Sequence, residues 1–149
     1  MENYINAAFE EKKQEPAAEE TRVTRRPFAT WEVGGETYRM KLSTADVQEL
    51  EQRYKTNLMN IMATDDDTGM PALSIMLDVT QQAMQRYHHG MTRAKIVDLF
   101  DQYVEEGGSQ FDFYVNVFTN IFLVSGFFSK ARVQKMENVQ ANLNDGAEV

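Results

Sequence analysis

Apolar residues are densest between Ser109 and Phe128, where their spacing is that of a helix. One set recurs every three or four residues, the period of a single helix face: Phe111, Tyr114, Val115, Phe118, Ile121, Phe122 and Ser125. A second set lies on another side of the helix: Phe113, Val117, Val124 and Phe128. We expect the first set to form the domain's core, and the second to contact a partner or another copy of the chain.

Three further helices and one β-hairpin are predicted ahead of this helix. Apolar and polar residues alternate between Phe28 and Leu42 around Gly34-Gly35, which predicts two strands joined by a two-residue turn. The capping residues Ser43, Thr92 and Ser109, together with helical spacing, predict helices near 44–62, 71–88, 93–106 and 109–128. In the 93–106 helix, these apolar residues are expected to face inward: Ile96, Val97, Leu99, Phe100, Tyr103 and Val104. The predicted fold is mainly α, a small bundle of about four helices with an N-terminal β-hairpin.

Both ends of the chain differ from this central part. Residues 1–27 have mixed charges and no sustained period, which is typical of a flexible arm. Residues 129–149 form a polar tail in which only loose helical spacing remains, so we expect a frayed helix and then a disordered end. The organisation is therefore one folded domain, 28–128, between two disordered tails.

The negative charge is concentrated in the helical part. The net charge is −8, and residues 43–128 carry twelve acids against five bases, a net of −7. Phosphate groups would be repelled, so we predict no nucleic-acid binding. Asp112, Asn116 and Asn120 interrupt the most apolar helix, so we predict no membrane insertion. The acidic N-terminus lacks the features of a signal peptide, which predicts a cytoplasmic protein.

Candidate chemistry is sparse. The chain has no cysteine, and His88 and His89 are adjacent at a helix end, where we expect them to cap the helix. The triplet Asp65–Asp67 departs from the calcium-loop pattern of EF-hands, so a solvated loop is preferred. We find no catalytic motif, and we expect no enzymatic activity, catalytic residue, cofactor or metal site.

The order of three motifs resembles a known family. They are WxVGGxxYxxKL at Trp31–Leu42, IVDLFDxYVEEGG at Ile96–Gly108, and SGFF at Ser125–Phe128. In this the chain is similar to the tail assembly chaperones of long-tailed, siphovirus-type phages and prophages of Gram-positive bacteria.

The resemblance implies a non-enzymatic role in viral morphogenesis. Such a chaperone binds the tape measure protein, keeps it soluble and helps to recruit tail tube subunits in the host cytoplasm. It is absent from the mature virion, and a homo-oligomer is compatible with the apolar last helix. The alternative is a structural head–tail connector or minor tail protein that stays in the virion. A DNA-binding adaptor is disfavoured by Asp98 and Asp101 on the outer side of the 93–106 helix.

Client binding requires exposed apolar surface for amphipathic helices. We expect these residues to line it: Phe113, Val117, Val124, Phe127, Phe128, Met59 and Met62. A core position remains the alternative for Phe113, Phe127 and Phe128. Methionine suits such a surface because its flexible side chain adapts to different partners.

Overall fold

The structure, a computed structural model, describes residues 26–62 and 69–147. The predictions for residues 1–25 and for the Asp65–Asp67 loop lie outside the described residues. The chain forms two compact units, one of which is Arg26–Phe127, while the other includes Phe128–Val149. The prediction of a mainly helical fold with an N-terminal hairpin is confirmed.

The hairpin consists of β1 (Ala29–Val33) and β2 (Glu36–Met40), which pair antiparallel with Trp31 opposite Tyr38. Gly34 and Gly35 form its turn with φ of 62° and 80°. A two-residue turn with positive φ at both positions matches the twist of the strands, and glycine adopts it without strain. The alternation predicts one buried face, on which Tyr38 is half-buried while most of the apolar residues are buried: Trp31, Val33, Met40 and Leu42.

Helices make up most of the remaining structure. They are α1 (Thr44–Tyr54), α2 (Leu58–Met62), α3 (Leu73–Met84), α4 (Arg93–Glu105), α5 (Gln110–Phe113), a π-helical segment (Tyr114–Phe118), α6 (Thr119–Val124) and α7 (Lys130–Ala147). We refer to α5, the π-helical segment and α6, which follow one another without a break, as the aromatic helix.

Side-chain caps begin several of these helices, as the sequence predicts. At the start of α1, the Asp46 amide donates to Ser43 Oγ at 3.1 Å, and the Ser43 amide donates to Asp46 Oδ2 at 2.8 Å. Thr92 caps α4 and Ser109 caps the aromatic helix in the same N-terminal position. Each cap satisfies a backbone N–H that has no partner within its helix.

The predicted 44–62 helix is divided into α1 and α2. Lys55 ends α1 in the left-handed conformation, with φ of 53°. The Leu58 amide then donates to the Glu51 carboxylate at 2.9 Å, which anchors the start of α2. The chain therefore turns at this point because Glu51 provides an alternative partner for the backbone.

The π-helical segment changes which residues of the aromatic helix face the core. The Thr119 amide donates to the Tyr114 carbonyl, five residues earlier, so this turn holds one extra residue. Side chains beyond it are offset by about one position, or about 100°. Phe113 therefore comes into phase with Phe118 and Phe122, and all three are fully buried. Phe111 loses that phase and is 51% exposed, so its predicted core position is wrong.

The C-terminal unit contains more regular structure than the sequence predicts. Instead of a frayed helix and a disordered end, an 18-residue helix, α7, runs from Lys130 to Ala147. It contains many residues that favour helices, and its apolar residues recur at helical spacing: Val133, Met136, Val139 and Leu143. The residue pattern is thus sufficient for a helix, although Val139 and Leu143 are exposed.

Gly108 generates the first prediction. A Cβ at this position would overlap the ring of Tyr103, which is packed against Trp31 and Phe113. We expect Gly108→Ala to lower the free energy of unfolding by about 1–3 kcal/mol, measured by urea denaturation. Gly90→Ala is the matched control because a Cβ there meets no atom within 4 Å. Equal stability of the two variants would contradict the packing described for Gly108.

Candidate functional site

The hairpin, α4 and the aromatic helix meet in a cluster of aromatic rings. Trp31 packs edge-to-face on Tyr103 and Phe113, with ring centroids 5.6 and 5.0 Å apart. Phe113 also contacts Phe100 edge-to-face at 5.4 Å. Such pairs favour this geometry and add to the free energy gained from burial. Burial raises the pKa of Tyr103, and the nearby Asp112 carboxylate adds to the shift.

Three of the predicted partner-binding residues lie in the core. Phe113, Val117 and Val124 are buried, so the prediction that they form an exposed second face is wrong. The physical reason is the π-helical segment. Its extra residue rotates the two ends of the aromatic helix relative to each other, so that residues from both predicted faces point into the core. The rest of the domain then covers the helix, and this surface is not available to a partner.

The other four predicted residues retain some exposure, on separate elements. Phe127 is half-buried, packs on Phe122 at 5.5 Å and lines a groove of about 290 Å³ beside Val47. Phe128 is half-buried and belongs to the C-terminal unit. Met59 is 40% exposed and Met62 is half-buried, and both are on α2. Within the Arg26–Phe127 unit, these residues therefore belong to separate elements, with Phe127 after α6 and the two methionines on α2.

A different exposed surface is present on α4. Val97 and Val104, predicted to face inward, are 42% and 46% exposed. Asp98, Asp101 and Glu105 are also exposed, and we call these five residues the α4 outer face. Periodicity alone misassigned the valines because they lie at the edge of the buried side, where the neighbouring elements determine coverage.

Glu106, which follows α4, holds the turn of the hairpin. The Gly34 amide donates to both carboxylate oxygens of Glu106, at 3.0 and 3.1 Å. Gln102 Nε2 donates to the same carboxylate at 3.2 Å. A hydrogen bond to an ionised acceptor is stronger than a neutral one, and this explains an acid at an otherwise unfavourable helix C-terminus.

His88 does not have the expected capping role. Its Nε2 accepts a hydrogen bond from the Arg39 amide at 3.0 Å, and its ring packs on Tyr38 at 5.2 Å. Only a neutral imidazole can accept at Nε2. Burial lowers the pKa of His88 and the Arg39 charge lowers it further, against an opposing effect of Glu36. His88 thus binds the outer edge of β2 in its neutral form.

A polar cluster connects the end of α1 to α3. Asp78 accepts from the Tyr54 hydroxyl, and Arg53 Nη1 donates to Asp78 Oδ2 at 2.9 Å. Burial and the hydrogen bond to Asp78 raise the pKa of Tyr54 to about 12. Among the described residues there is no cluster of three or more acids or histidines that could hold a metal ion. The cluster is best explained as a link between the two helices.

Residues 25–147 match the sequence profile of DUF6096, a family of unknown function. The chain belongs to the DUF6096 family. No curated protein and no solved structure matches this DUF6096 chain. Within the part of the chain that the structure describes, no helix combines the length and apolar character needed to cross a membrane.

The corrected position of Phe113 generates a prediction for the DUF6096 chain. We expect Phe113→Ala to lower the free energy of unfolding by about 3–5 kcal/mol, because it leaves a cavity among packed rings. Phe111→Ala removes the same ring from an exposed position and should cost less than about 1 kcal/mol. Chemical denaturation of both variants measures the difference. A larger loss for Phe111→Ala would contradict the register described here.

The hydrogen bond at His88 predicts a dependence of stability on pH. Because the pKa of His88 is below its usual 6.5 in the folded state, the unfolded chain takes up a proton first as the pH falls. The contribution of neutral His88 to the free energy of unfolding is therefore complete above pH 6.5. It is lost as the pH falls through the pKa that His88 has in the folded state.

We expect His88→Gln, which keeps an acceptor but does not titrate, to flatten the fall in thermal midpoint between neutral and mildly acidic pH. His89→Gln changes the exposed neighbour and is the matched control, which should keep the wild-type profile. If both variants showed the same profile, His88 would not be the titrating group.

Proposed function

We propose that this protein is a tail assembly chaperone of a long-tailed phage or prophage of a Gram-positive bacterium. In this proposal it binds the tape measure protein in the host cytoplasm, keeps it soluble and helps to recruit tail tube subunits. The role is non-enzymatic, and the protein does not remain in the mature virion. Self-association is compatible with it.

One observation carries the proposal: of the three segments through which the chain resembles these chaperones, the hairpin segment contacts both of the others. Trp31–Leu42 is bound to Ile96–Gly108 through Gly34 and Glu106. It is bound to Ser125–Phe128 by the Leu42 amide, which donates to Ser125 Oγ at 3.0 Å. The residues that carry the resemblance are therefore joined by hydrogen bonds in the folded chain. This favours a shared fold over a chance similarity of separate short motifs.

The exposed surface of α4 provides a second line of support. A protein that keeps an aggregation-prone client soluble needs apolar side chains in contact with solvent before the client arrives. Val97 and Val104 meet this requirement, and the carboxylates beside them keep the free chaperone hydrated. This surface takes the place of the aromatic-helix face that the sequence predicts.

Co-expression tests the proposal. The chain is produced together with the tape measure protein encoded in the same tail gene cluster, and the client is quantified in the soluble fraction. We expect a several-fold increase over co-expression with a helical control protein of similar size and charge. Equal client solubility with the chain and with the control would refute a chaperone role.

Purified particles distinguish the chaperone from the structural alternative. Mass spectrometry of infected or induced cells should detect the chain in the lysate and not in the finished virions. Recovery of the chain in virions at a fixed ratio to a tail protein would instead support a head–tail connector or minor tail protein. An affinity-tagged chain from the lysate should also retain tape measure and tail tube proteins.

A further inference from the structure

The α4 outer face has an apolar row beside an acidic row. Val97 and Val104 are seven residues apart, so they lie almost in line, about 10 Å from each other along the helix. Asp101, Glu105 and Asp98 follow around the helix at about 40°, 80° and 100° from this line. Phe100 and Ile96, which are buried, lie on the opposite side of the valine row. The two valines thus lie between the buried side of α4 and its acidic side.

The acids on this face have no ion-pair partner among the residues that the structure describes. Residues 96–129 contain five acids and neither lysine nor arginine. The cations at the start of α4 bind elsewhere, since Arg93 Nη2 donates to the Ser74 carbonyl and Lys95 Nζ to the Gly90 carbonyl. None of the described residues forms an ion pair with Asp98, Asp101 or Glu105.

The same acids are unfavourable for the helix itself. Asp101 and Glu105 are four residues apart, so their like charges repel. Glu105 is also the last residue of α4, where the helix dipole disfavours a negative charge. Unlike Glu106, which binds Gly34, Asp101 and Glu105 make no side-chain hydrogen bond or ion pair within the part of the chain that the structure describes.

We propose that the α4 outer face docks a basic amphipathic helix, whose apolar side covers Val97 and Val104 while its lysines or arginines pair with Asp98, Asp101 and Glu105. Charge complementarity selects this occupant. A second copy of α4 would bring like charges together. This inference deepens the proposed function and rests on it for the identity of the client, a segment of the tape measure protein.

Two designed helical peptides probe the surface directly. One has leucine on one face and lysine on the other, and its matched control has glutamate in place of lysine. We expect the full chain to bind the lysine peptide, measured by fluorescence anisotropy, at least about tenfold more tightly than the glutamate peptide, with affinity falling as salt rises. Equal affinity for the two peptides would overturn the proposal.

Variants separate the apolar and the acidic contributions. The double variant Val97→Ser, Val104→Ser should weaken binding of the lysine peptide about tenfold or more. Met59→Ser changes an equally exposed apolar residue on α2 and should leave the affinity unchanged. Loss of affinity in Met59→Ser but not in the valine variant would place the site elsewhere and overturn the proposal.

Neutralising the three acids distinguishes a role in binding from a role in the stability of the fold. The triple variant Asp98→Asn, Asp101→Asn, Glu105→Gln should lose the salt dependence of binding while its thermal midpoint stays equal or rises, because the repulsion within α4 is removed. A lowered midpoint with unchanged peptide affinity would show that the acids serve the fold, and would overturn the proposal. So would concentration-dependent self-association that the valine variant abolishes.

Co-expression with the tape measure protein distinguishes failure of this inference from failure of the proposed function. If the wild type and the valine variant solubilise the client equally, the docking site is wrong and the chaperone role stands. If the wild type leaves the client insoluble but binds the lysine peptide, the chaperone role fails and the surface chemistry stands. Solubilisation by the wild type alone supports both.

Discussion

The structure depends on how the backbone N–H groups of a two-stranded hairpin find partners outside the sheet. Two strands alone are marginally stable in water, and a hairpin N–H that faces away from its partner strand binds either water or an acceptor elsewhere in the protein. Here the acceptors come from separate helical regions. Glu106 after α4 binds the turn, His88 after α3 binds Arg39, and Ser125 after α6 binds Leu42. The Ala83 carbonyl accepts from Lys41 at 2.9 Å. The hairpin therefore fixes the ends of helices that are far apart in the chain.

This arrangement explains why Trp31 is surrounded by the rings of α4 and the aromatic helix. Glu106 binds the Gly34 amide at the turn that leads β1 past Tyr103, and Gln102 occupies the space where a Gly34 side chain would lie. The same constraint acts at Gly108, which must remain small for Tyr103 to reach Trp31. Polar contacts at the turn thus lie next to the apolar cluster, and the packed rings of the cluster contribute to the free energy gained from burial.

Local signals in the sequence predict the elements well, because they depend on neighbouring residues. The Gly34-Gly35 turn, the Ser43 cap and the Ser109 cap each need only a few adjacent side chains, and all are found as predicted. The faces of the helices are less predictable. A π turn shifts Phe113 into the core and Phe111 out of it, and no simple period reveals where the extra residue is inserted. The roles of His88 and Glu106 depend on partners 49 and 72 residues away.

The candidate site, the α4 outer face, differs from the rest of α4 in how its residues are constrained. On the side of α4 that faces the core and the hairpin, the neighbouring side chains restrict which residues can be accommodated. Phe100, Tyr103 and Glu106 each make a defined contact there. On its outer side no packing partner is present within the described unit, and Asp101 and Glu105 reduce the stability of the helix that carries them. A sequence selected for stability alone would place a lysine or glutamine at one of these positions. Charge repulsion within a helix, next to exposed valines, is typical of a surface that is stabilised by contact with another chain. For this reason α4 is a better candidate for function than the aromatic helix, although the aromatic helix is the most apolar part of the sequence.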